Sequence, residues 1–440
     1  MGDAATTNGA AQTNGRTNQL PALCADAASF LSLSYDYLII GGGTAGLVLA
    51  ARLTENTNVT VGVLEAGKNV LDDPLVDTPA LFPQMLGHPE YDWCMKTTPQ
   101  NGGRVHHLPR GKALGGSSAI NYMMYVRGST RDYDDWATLA RDSTWSAAGM
   151  APYIRKHQTL AAPPATPPPP ALPLDTSGMA TLAAHHGATG PIHTTFNAAR
   201  LPLEDAWIAG ADETFGVREK PRDAWSGDHY GFYNGLGSVP AVLELSGIGD
   251  PDVLRRAGVE CKVELKSVGE NFQDHVVAGV GYELAPGQVS GDSLYHPEAM
   301  AAAQKAYVDA KEGPLAAVVS GQGFVSYKQM ATTEQMERTI ASIRETQKTS
   351  TPFQQRQLDL VIQHLEDEKS ANLQYIMLPI SANFDDSAVA NQANLWPPGN
   401  PAKPGFTWVC CLQYPVSRGS IHISSAGKSF KSPLPAKIMY

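Results

Sequence analysis

The hydrophobic pattern of residues 35–65 predicts a strand, a helix and a second strand, in that order. The apolar run Tyr37–Ile40 is rich in β-branched residues and predicts a fully buried parallel strand. After a glycine-rich turn, Leu47–Leu53 has the composition of a helix, and Val59–Leu64 predicts a second strand that ends at Glu65. Together these segments predict a parallel βαβ unit.

The turn after the first strand has the spacing of a dinucleotide-binding loop. Gly41 permits a tight turn, Gly43 lets the backbone approach a pyrophosphate, and Gly46 lets the helix pack close to the strand. Free N–H groups at the helix start favour the phosphate charge. Glu65 lies 19 residues after Gly46, where a carboxylate accepts from a ribose hydroxyl. NAD and FAD both satisfy this motif, and the alternative is an ordinary βαβ turn with an exposed glutamate.

The pattern farther along the chain predicts further helices and strands. Arg131–Leu160 is predicted as helical, and Ala161–Pro173 holds seven prolines in thirteen residues, which predicts an extended spacer or lid. Trp225–Tyr233 is an aromatic and polar loop that either lines a substrate pocket or packs its rings. The later segments are predicted as the helices Leu201–Thr214, Met300–Lys311 and Thr333–Lys348 and the strands Leu373–Ile380 and Phe406–Ser424, with Arg418-Gly419 as a hairpin turn.

Composition is typical of a soluble globular protein. The 440 residues are 42% hydrophobic and 17% charged, and this length predicts about two to three domains. A net charge of −10 without a Lys/Arg cluster argues against nucleic-acid partners. No apolar run reaches the roughly 18 residues that a membrane span requires. We therefore expect no nucleic-acid and no membrane partner, and the oligomeric state is not readable from the sequence.

The N-terminus and the cysteines favour a cytoplasmic location. Met1–Asn18 is polar and of low complexity, which predicts disorder. The segment up to Leu31 lacks the basic start and long apolar block of a signal peptide. Five cysteines, an odd and sparse set, have no metal-binding spacing and are interpreted as reduced thiols, with the adjacent Cys410-Cys411 predicted as strand core.

A second glycine-rich segment narrows the identity of the dinucleotide. Gly111–Asn121 reads GKALGGSSAIN. Gly115-Gly116 allows main-chain approach to a diphosphate, and the hydroxyls and N–H groups of Ser117-Ser118 form an anion-binding nest. Asn121 offers an amide near a ring system. The alternative is a Gly/Ser surface loop.

This segment resembles the first signature of the glucose–methanol–choline (GMC) family of FAD-dependent oxidoreductases, in which Tyr125, Gly128 and Asp134 also fall on the family's offsets. Four further segments match family landmarks. The resemblance covers Tyr35–His275 with one internal deletion near Ser238 and Pro240, and it returns toward the end of the chain. The matching segments are Asp92-Trp93, Pro240–Gly249, Val268–His275 and Cys411–Ser424.

The resemblance implies an α/β fold with two parts. One is a Rossmann-like FAD-binding domain, and the other is an α+β substrate domain built on an antiparallel sheet. We expect a disordered or extended N-terminus over residues 1–33 and a discontinuous FAD-binding domain from residues 34–130 and 225–280. Residues 131–224 and 281–440 are expected to supply the substrate domain, which is C-terminally incomplete relative to the family.

The resemblance also implies FAD as the cofactor. Ile120 and Asn121 stand where some relatives have a histidine that links the flavin covalently, so we expect non-covalent FAD. The expected cofactor-binding residues are Gly41, Gly43, Thr44, Ala45, Gly46, Glu65, Ala66, Trp93, Gly115, Gly116, Ser117, Asn121, Tyr122, Met123 and Met124. No metal ligands are predicted.

The catalytic base is not assigned by the sequence. Alcohol oxidation needs a group that takes the hydroxyl proton, and a neutral imidazole titrates in the useful range. Relatives place such a histidine beyond the position of Ser424, and this sequence has no histidine there. His275 lies in a family landmark with a structural role, and a polar or packing role is also the prediction for His106-His107 and His185-His186.

Three interpretations of function follow. The first is an FAD-dependent oxidoreductase that transfers hydride from the CH–OH group of an alcohol to flavin N5. The second is a truncated or mis-spliced family member that binds flavin weakly or not at all and lacks turnover, which the missing segments favour. The third, a pyridine-nucleotide dehydrogenase, is disfavoured by Gly111–Asn121. The substrate is not readable, nor is the choice between oxidase and dehydrogenase.

Overall fold

The structure is a computed structural model, and it describes most of the chain between Cys24 and Lys437. The proline-rich segment after Ala161 and most of the second family landmark, Pro240–Gly249, lie outside the described residues, as does Met1–Asn18. The described residues are Cys24 and residues 26–71, 73–161, 184–197, 200–221, 223–236, 248–249, 263–264, 270–317, 319, 321–421 and 436–437.

The predicted βαβ unit is present. After a short helix α1 (Ala27–Leu31), strand β1 (Tyr37–Ile40) pairs in parallel with β2 (Val61–Leu64), and helix α2 (Thr44–Leu53) connects them. The prediction that β1 is fully buried is wrong. Leu38 and Ile40 are 52% and 56% exposed, because among the described residues β1 pairs with β2 alone and α2 covers the pair incompletely.

Short elements follow between the βαβ unit and the next long helix. They are helix α3 (Pro74–Asp77), strand β3 (Met95–Lys96), strand β4 (His107–Leu108) and 3-10 turns at Pro79–Met85, Asn101–Gly103 and Gly116–Ala119. Strands β3 and β4 form a small antiparallel ribbon. This ribbon places Trp93 beside Arg110, at the start of the second glycine-rich segment.

The predicted helical segment Arg131–Leu160 is two helices and a strand. Helix α4 (Thr130–Ala140) begins at a capping box of Ser129 and Asp132, and α5 (Ala147–His157) begins at Ser146. The helix prediction is wrong at Gln158–Leu160, which forms strand β5 and pairs in parallel with β6 (Ile192–Thr194). Asp142 also caps a separate 3-10 turn, which divides the segment.

A five-stranded antiparallel sheet forms the largest element of the described chain. Its core holds Phe232, Val325 and Met377, all fully buried, against helix α6 (Pro202–Thr214). The strands are β7 (Gly231–Asn234), β10 (Val277–Glu283), β11 (Gly321–Val325), β12 (Leu373–Leu378) and β13 (Gly405–Leu412), in the order β10-β13-β12-β11-β7.

Of the helices that flank this sheet, Pro297–Ala310 and Thr333–Gln347 are close to the predicted bounds, and Pro352–Glu366 was not predicted. Within the described ranges, every helix is too short or too polar to cross a bilayer. The remaining helices are α7 (Pro297–Ala310), α8 (Tyr327–Met330), α9 (Thr333–Gln347), α10 (Pro352–Glu366) and α11 (Asp386–Ala390), with 3-10 turns at Ser143–Trp145, Gly291–Tyr295, Pro314–Ala316 and Gln392–Leu395.

The predicted hairpin at Arg418-Gly419 is wrong. Strand β13 ends at Leu412, and Gly419 exchanges backbone hydrogen bonds with Phe272 instead of turning the chain back. The Arg418 guanidinium donates to three consecutive carbonyls, Pro415 to Ser417, which stabilises an irregular loop. The other short strands are β8 (Ile248–Gly249), β9 (Val263–Glu264), β14 (Ser420–Ile421) and β15 (Ala436–Lys437), paired β8 with β9 and β14 with β15.

Polar contacts join α4 to the half of the chain that contains the sheet. Asp135 lies 2.7 Å from Nε2 of the buried His364, whose Nδ1 lies 2.6 Å from Oγ of Ser370. Asp132 accepts from the Tyr414 hydroxyl at 2.8 Å. Helix α4 follows directly on the second glycine-rich segment, so these bonds fix that segment relative to the sheet.

Candidate cofactor site

The first glycine turn has the geometry that its spacing predicts. Gly41 has φ +99°, a left-handed conformation that favours glycine. A Cβ on Gly46 would lie 2.0 Å from the carbonyl oxygen of Gly41, so no side chain fits there. Helix α2 begins at Gly43, with Thr44 and Ala45 in its first turn. The unpaired N–H groups of this turn therefore point toward the space in front of β1.

The second glycine-rich segment meets the first at this helix start. Gly43 and Gly115 form a parallel bridge, and Gly115 N–H donates to Gly42 C=O at 2.8 Å. A Cβ on Gly116 would lie 2.8 Å from Cα of Gly43, so Gly116 is required for this approach, whereas a Cβ on Gly43 would make an ordinary contact at 3.6 Å from Cα of Gly116. The hydroxyls of Thr44 and Ser118 are hydrogen-bonded to each other. Two loops about 70 residues apart thus meet backbone to backbone at the start of helix α2, and we call this pair of loops the cradle.

Glu65 connects the loop after strand β1 to the loop after strand β2. Its carboxylate accepts from Gly42 N–H at 2.8 Å and from Gly67 N–H at 2.7 Å, and the exposed Ala66 lies between Glu65 and Gly67. Glu65 is therefore half-buried and hydrogen-bonded, whereas the alternative expected an exposed glutamate. Each carboxylate oxygen has two lone pairs, so Glu65 retains acceptor capacity for a ribose hydroxyl.

Two further contacts fix the shape of the second segment. Gly111 N–H donates to Oγ of Ser117 at 3.1 Å, and a Cβ on Gly111 would lie 2.1 Å from the Gly116 carbonyl oxygen. A Cβ on Gly67 would lie 2.1 Å from the carbonyl oxygen of Lys112. The loop after β2 and the second segment are therefore in direct backbone contact.

Asp92 holds the loop that carries Trp93. The carboxylate is 1% exposed and accepts from the N–H groups of Gly87, Cys94 and Arg110 at 2.8–2.9 Å. Burial raises the pKa of Asp92, but the contact with a histidine and the three N–H groups outweigh it, so the pKa lies below its ordinary value. Trp93 N–H donates to Arg110 C=O at 2.8 Å, which places the indole next to the start of the second segment.

Asp92, Cys94 and His107 have ligand atoms within 4.8 Å of one another, a spacing compatible with a metal ion. Their hydrogen bonds argue against that function. Gln392 N–H donates to Nδ1 of His107 at 3.1 Å, so the ring proton lies on Nε2. Nε2 lies 3.1 Å from Oδ2 of Asp92, although its N–H is not aimed along the hydrogen-bond direction. Because the lone pairs of Asp92 are already in use, this group acts as a clamp.

The segment Asn121–Met124 forms a fixed turn at the end of the cradle. Oδ1 of Asn121 accepts from Met123 N–H at 2.9 Å, and Met123 has φ +56°. Tyr122 is half-buried and packs between Phe82, at a ring separation of 4.7 Å, and Trp396. Burial raises the pKa of Tyr122 to about 12. The expected residues of this segment, including the half-buried Met124, therefore lie together beside the two glycine loops.

Comparison with known proteins decides the family. The model of the GMC oxidoreductase family matches residues 35–238. Dehydrogenase mpl7 of Monascus purpureus is 32% identical over 487 residues, which cover 90% of this chain and 76% of that protein. The chain belongs to the GMC oxidoreductase family. Because the alignment is longer than the 440 residues of this chain, mpl7 carries residues that have no counterpart here.

Other members of the family and several solved structures are similar to the chain. An oxygen-dependent choline dehydrogenase of Staphylococcus xylosus is 33% identical over 313 residues, covering 55% of this chain and 53% of that protein. An FAD-dependent oxidoreductase of Chaetomium thermophilum shares the fold with a TM-score of 0.70 at 21% identity, over 92% of this chain and 78% of that one. A fungal aryl-alcohol oxidase has a TM-score of 0.67 at 19% identity over the same shares.

Within this GMC family member, the predicted structural roles of the histidines agree with their contacts. His107 belongs to the Asp92 clamp, and Nδ1 of His275 lies 2.9 Å from the carbonyl oxygen of Leu412. His185 offers its carbonyl to Arg127 at 2.7 Å. The pKa of His106 is lowered by burial and then by Arg104. None of these geometries tests a catalytic role directly.

A buried polar network under the second segment escapes sequence reasoning. His186 is 6% exposed, with Nδ1 near the side chain of Gln158 and Nε2 3.4 Å from Oδ1 of Asp223. Arg127 donates to Gln158 and to the Tyr125 hydroxyl. The residues come from four separate segments, so neither periodicity nor spacing reveals them. The available signal was Asp223 directly before Ala224-Trp225, because a carboxylate that is buried beside apolar residues needs hydrogen-bonding partners.

The aromatic loop Trp225–Tyr233 packs its rings. Trp225 and Tyr233 are buried in one cluster with Tyr125, and the indole N–H of Trp225 donates to Tyr125 C=O at 2.9 Å. The sequence left open whether this loop lines a substrate pocket or packs its rings, and Trp225 and Tyr233 pack their rings. The loop therefore packs against Tyr125, four residues after the second segment.

Proposed function

We propose that this GMC oxidoreductase binds FAD without a covalent bond and oxidises the CH–OH group of a small alcohol. The observation that carries the proposal is the joint cradle in which Gly43 meets Gly115 and Gly116, closed by the carboxylate of Glu65. Backbone N–H groups at a helix start suit a diphosphate, and a carboxylate after the second strand suits a ribose.

The residues of the cradle fit the adenosine and diphosphate parts of FAD. Gly41, Gly43, Gly46 and Thr44 would face the diphosphate from the first loop, and Ser117 with its glycines would face it from the second. Ile120 and Asn121 offer no imidazole for a covalent flavin bond. When bound, FAD supplies a hydride acceptor.

The protein's own contribution near the ring is position and the exclusion of water. Trp93, Asn121 and Tyr122 stand on backbone that is fixed by Asp92 and by the Met123 turn. Such fixed groups hold a flavin ring and a substrate carbon in reactive geometry, which accounts for a large share of enzymatic rate enhancement.

The base that takes the alcohol proton is not assigned among the described residues. In the buried His107, His186 and His364, both ring nitrogens face protein groups, which argues against proton exchange with a substrate. This leaves a second candidate function, a family member that binds flavin without turnover.

Anaerobic flavin reduction separates the two candidates. The purified protein is loaded with FAD, mixed without oxygen with a panel of primary and aromatic alcohols, and monitored at the visible flavin bands. Bleaching of the oxidised flavin by at least one alcohol, with release of the matching aldehyde, supports the proposal. Retained FAD that no alcohol reduces supports the flavin-binding candidate and overturns the CH–OH assignment.

A further inference from the structure

A short segment from the C-terminal half closes one end of the cofactor cradle. Asn391–Trp396 follows helix α11 and contacts residues that lie about 270 to 315 positions earlier in the chain. The Trp396 ring lies 5.7 Å from Phe82 and 6.0 Å from Tyr122. Asn391 fills the space above Gly87, where a Cβ would lie 2.6 Å from its Oδ1.

Gln392 is the residue of this segment with two polar contacts to the cradle. Its backbone N–H donates to Nδ1 of His107 at 3.1 Å. Its side-chain Oε1 accepts from the Tyr122 hydroxyl at 3.3 Å. Gln392 therefore joins two different parts of the site, one at His107 and the other at Tyr122.

Through its contact with His107, Gln392 is connected to the loop that carries Trp93. Because Nδ1 accepts from Gln392, the imidazole keeps its proton on Nε2, which lies 3.1 Å from Oδ2 of Asp92. Asp92 in turn holds Arg110 N–H at the start of the second glycine-rich segment. The backbone of Gln392 therefore fixes the ring that lies against this clamp.

Through its contact with Tyr122, Gln392 is connected to the turn Asn121–Met124, which is expected beside the flavin ring. Burial raises the pKa of Tyr122 to about 12, so the hydroxyl stays protonated near neutral pH and remains a donor. The neighbouring backbone is fixed by the bond from Met123 to Asn121. The orientation of the phenol is then set by its two aromatic neighbours and by Oε1 of Gln392.

We propose that Gln392 is a positioning residue for the flavin, which holds Tyr122 and, through His107, the Trp93 loop in the orientation that binds the cofactor. The inference rests on the proposed FAD function. It assigns part of the cofactor site to a segment outside the two glycine-rich loops and outside the residues matched by the family model.

Gln392→Ala and Gln392→Glu separate positioning from general support. Both variants keep the backbone N–H to His107, but only the glutamate keeps a side-chain acceptor for Tyr122. Loss of one such bond corresponds to a threefold to tenfold weaker FAD affinity, roughly. Tyr122→Phe should produce the same loss, and Gln392→Ala in that background should add little, because both remove one bond. Gln288→Ala, at an exposed position, is the matched control.

The readouts are the FAD dissociation constant and the visible absorption spectrum of the bound flavin. We expect Gln392→Ala to weaken binding and to shift the flavin bands, whereas Gln392→Glu and Gln288→Ala retain the wild-type values. Equal losses in the alanine and glutamate variants, or no change in either, would overturn the inference while leaving the proposed function intact. Wild-type protein that takes up no FAD would overturn both.

Discussion

The cofactor cradle and the antiparallel sheet are held together in different ways. In the cradle, backbone contacts between glycines join the loops, and the adjoining strand β1 leaves Leu38 52% exposed and Ile40 56% exposed. In the sheet, Phe232 and Met377 are fully buried in an aromatic cluster beneath α6. One region depends on close approach of backbone, and the other depends on buried side-chain area.

This difference indicates that cofactor binding and folding stability are separable by mutation. Burial of large side chains supplies most of the folding free energy of a domain, and the sheet contains that burial. Backbone N–H groups that face a ligand add little to the stability of the free protein but define the binding geometry. Changes in the cradle should therefore reduce FAD affinity before they unfold the chain, and changes in the sheet should do the reverse.

The largest effect is expected in the sheet. Phe232 lies 5.2 Å from the Trp207 ring and stacks on Phe215 at 5.4 Å. Phe232→Ala should lower the free energy of unfolding by about 3–5 kcal/mol, because it leaves a cavity in a close-packed core. Urea unfolding followed by fluorescence measures this change. Phe353→Ala, at a position 44% exposed, is the control, and an equal loss in both variants would contradict the contrast.

In the cradle, Gly46→Ala should weaken FAD binding. The added Cβ would lie 2.0 Å from the Gly41 carbonyl oxygen, and overpacking of this kind costs about 1–3 kcal/mol. We expect FAD affinity to fall by roughly 10- to 100-fold and far-UV circular dichroism to stay the same. Gly210→Ala in helix α6 has open space around it and should leave affinity unchanged. Unfolding of the Gly46 variant with loss of the sheet would show that the two regions are coupled.

Glu65→Ala should weaken FAD retention by about one to two orders of magnitude. A charge-assisted bond to the ribose corresponds to about 1.5–3 kcal/mol, and the variant also releases the N–H groups of Gly42 and Gly67. Glu65→Gln keeps one acceptor oxygen and should lie between the two. Equilibrium titration with FAD tests this order, and unchanged affinity in the alanine variant would remove Glu65 from the site.

The smallest effect concerns the pH dependence contributed by Asp92. Its folded pKa lies below the ordinary value of 3.8, so its ionised form stabilises the fold above that pH, and the contribution is lost as the pH falls through the folded pKa. The whole contribution corresponds to about 1.4 kcal/mol per pKa unit of depression, and the stability difference between wild type and Asp92→Asn should begin to shrink as the pH falls below 3.8 toward pH 3. A stability difference between wild type and Asp92→Asn that stays constant between pH 7 and pH 3 would contradict this contribution of Asp92. Asp309→Asn on the exposed side of α7 is the control.

Much of the cradle was predictable from the sequence. Gly41, Gly43 and Gly46 act through backbone geometry, and such geometry leaves a strict spacing in the sequence. The helix bounds Pro202–Thr214 and Thr333–Gln347 lie within one residue of the prediction, because a proline or a capping box defines each start. Local signals therefore sufficed where local chemistry decides the structure.

The sequence predictions fail where contacts between distant segments of the chain determine the structure. The burial of β1 depends on which strands pair beside it, and the end of β13 depends on Gly419 pairing with Phe272. The buried His186–Asp223 contact and the Gln392 link join segments dozens to hundreds of residues apart. No periodicity records such contacts, so the structure alone brings these residues together.

The identity and linkage of the bound cofactor test the central claim most directly. Purified protein is incubated with equal concentrations of FAD and NAD, desalted and precipitated with acid, and both supernatant and pellet are analysed by chromatography and absorption. We expect one equivalent of FAD in the supernatant and no flavin in the pellet. Yellow colour that stays with the pellet would contradict non-covalent binding, and bound NAD without flavin would contradict the assignment of the cradle to FAD.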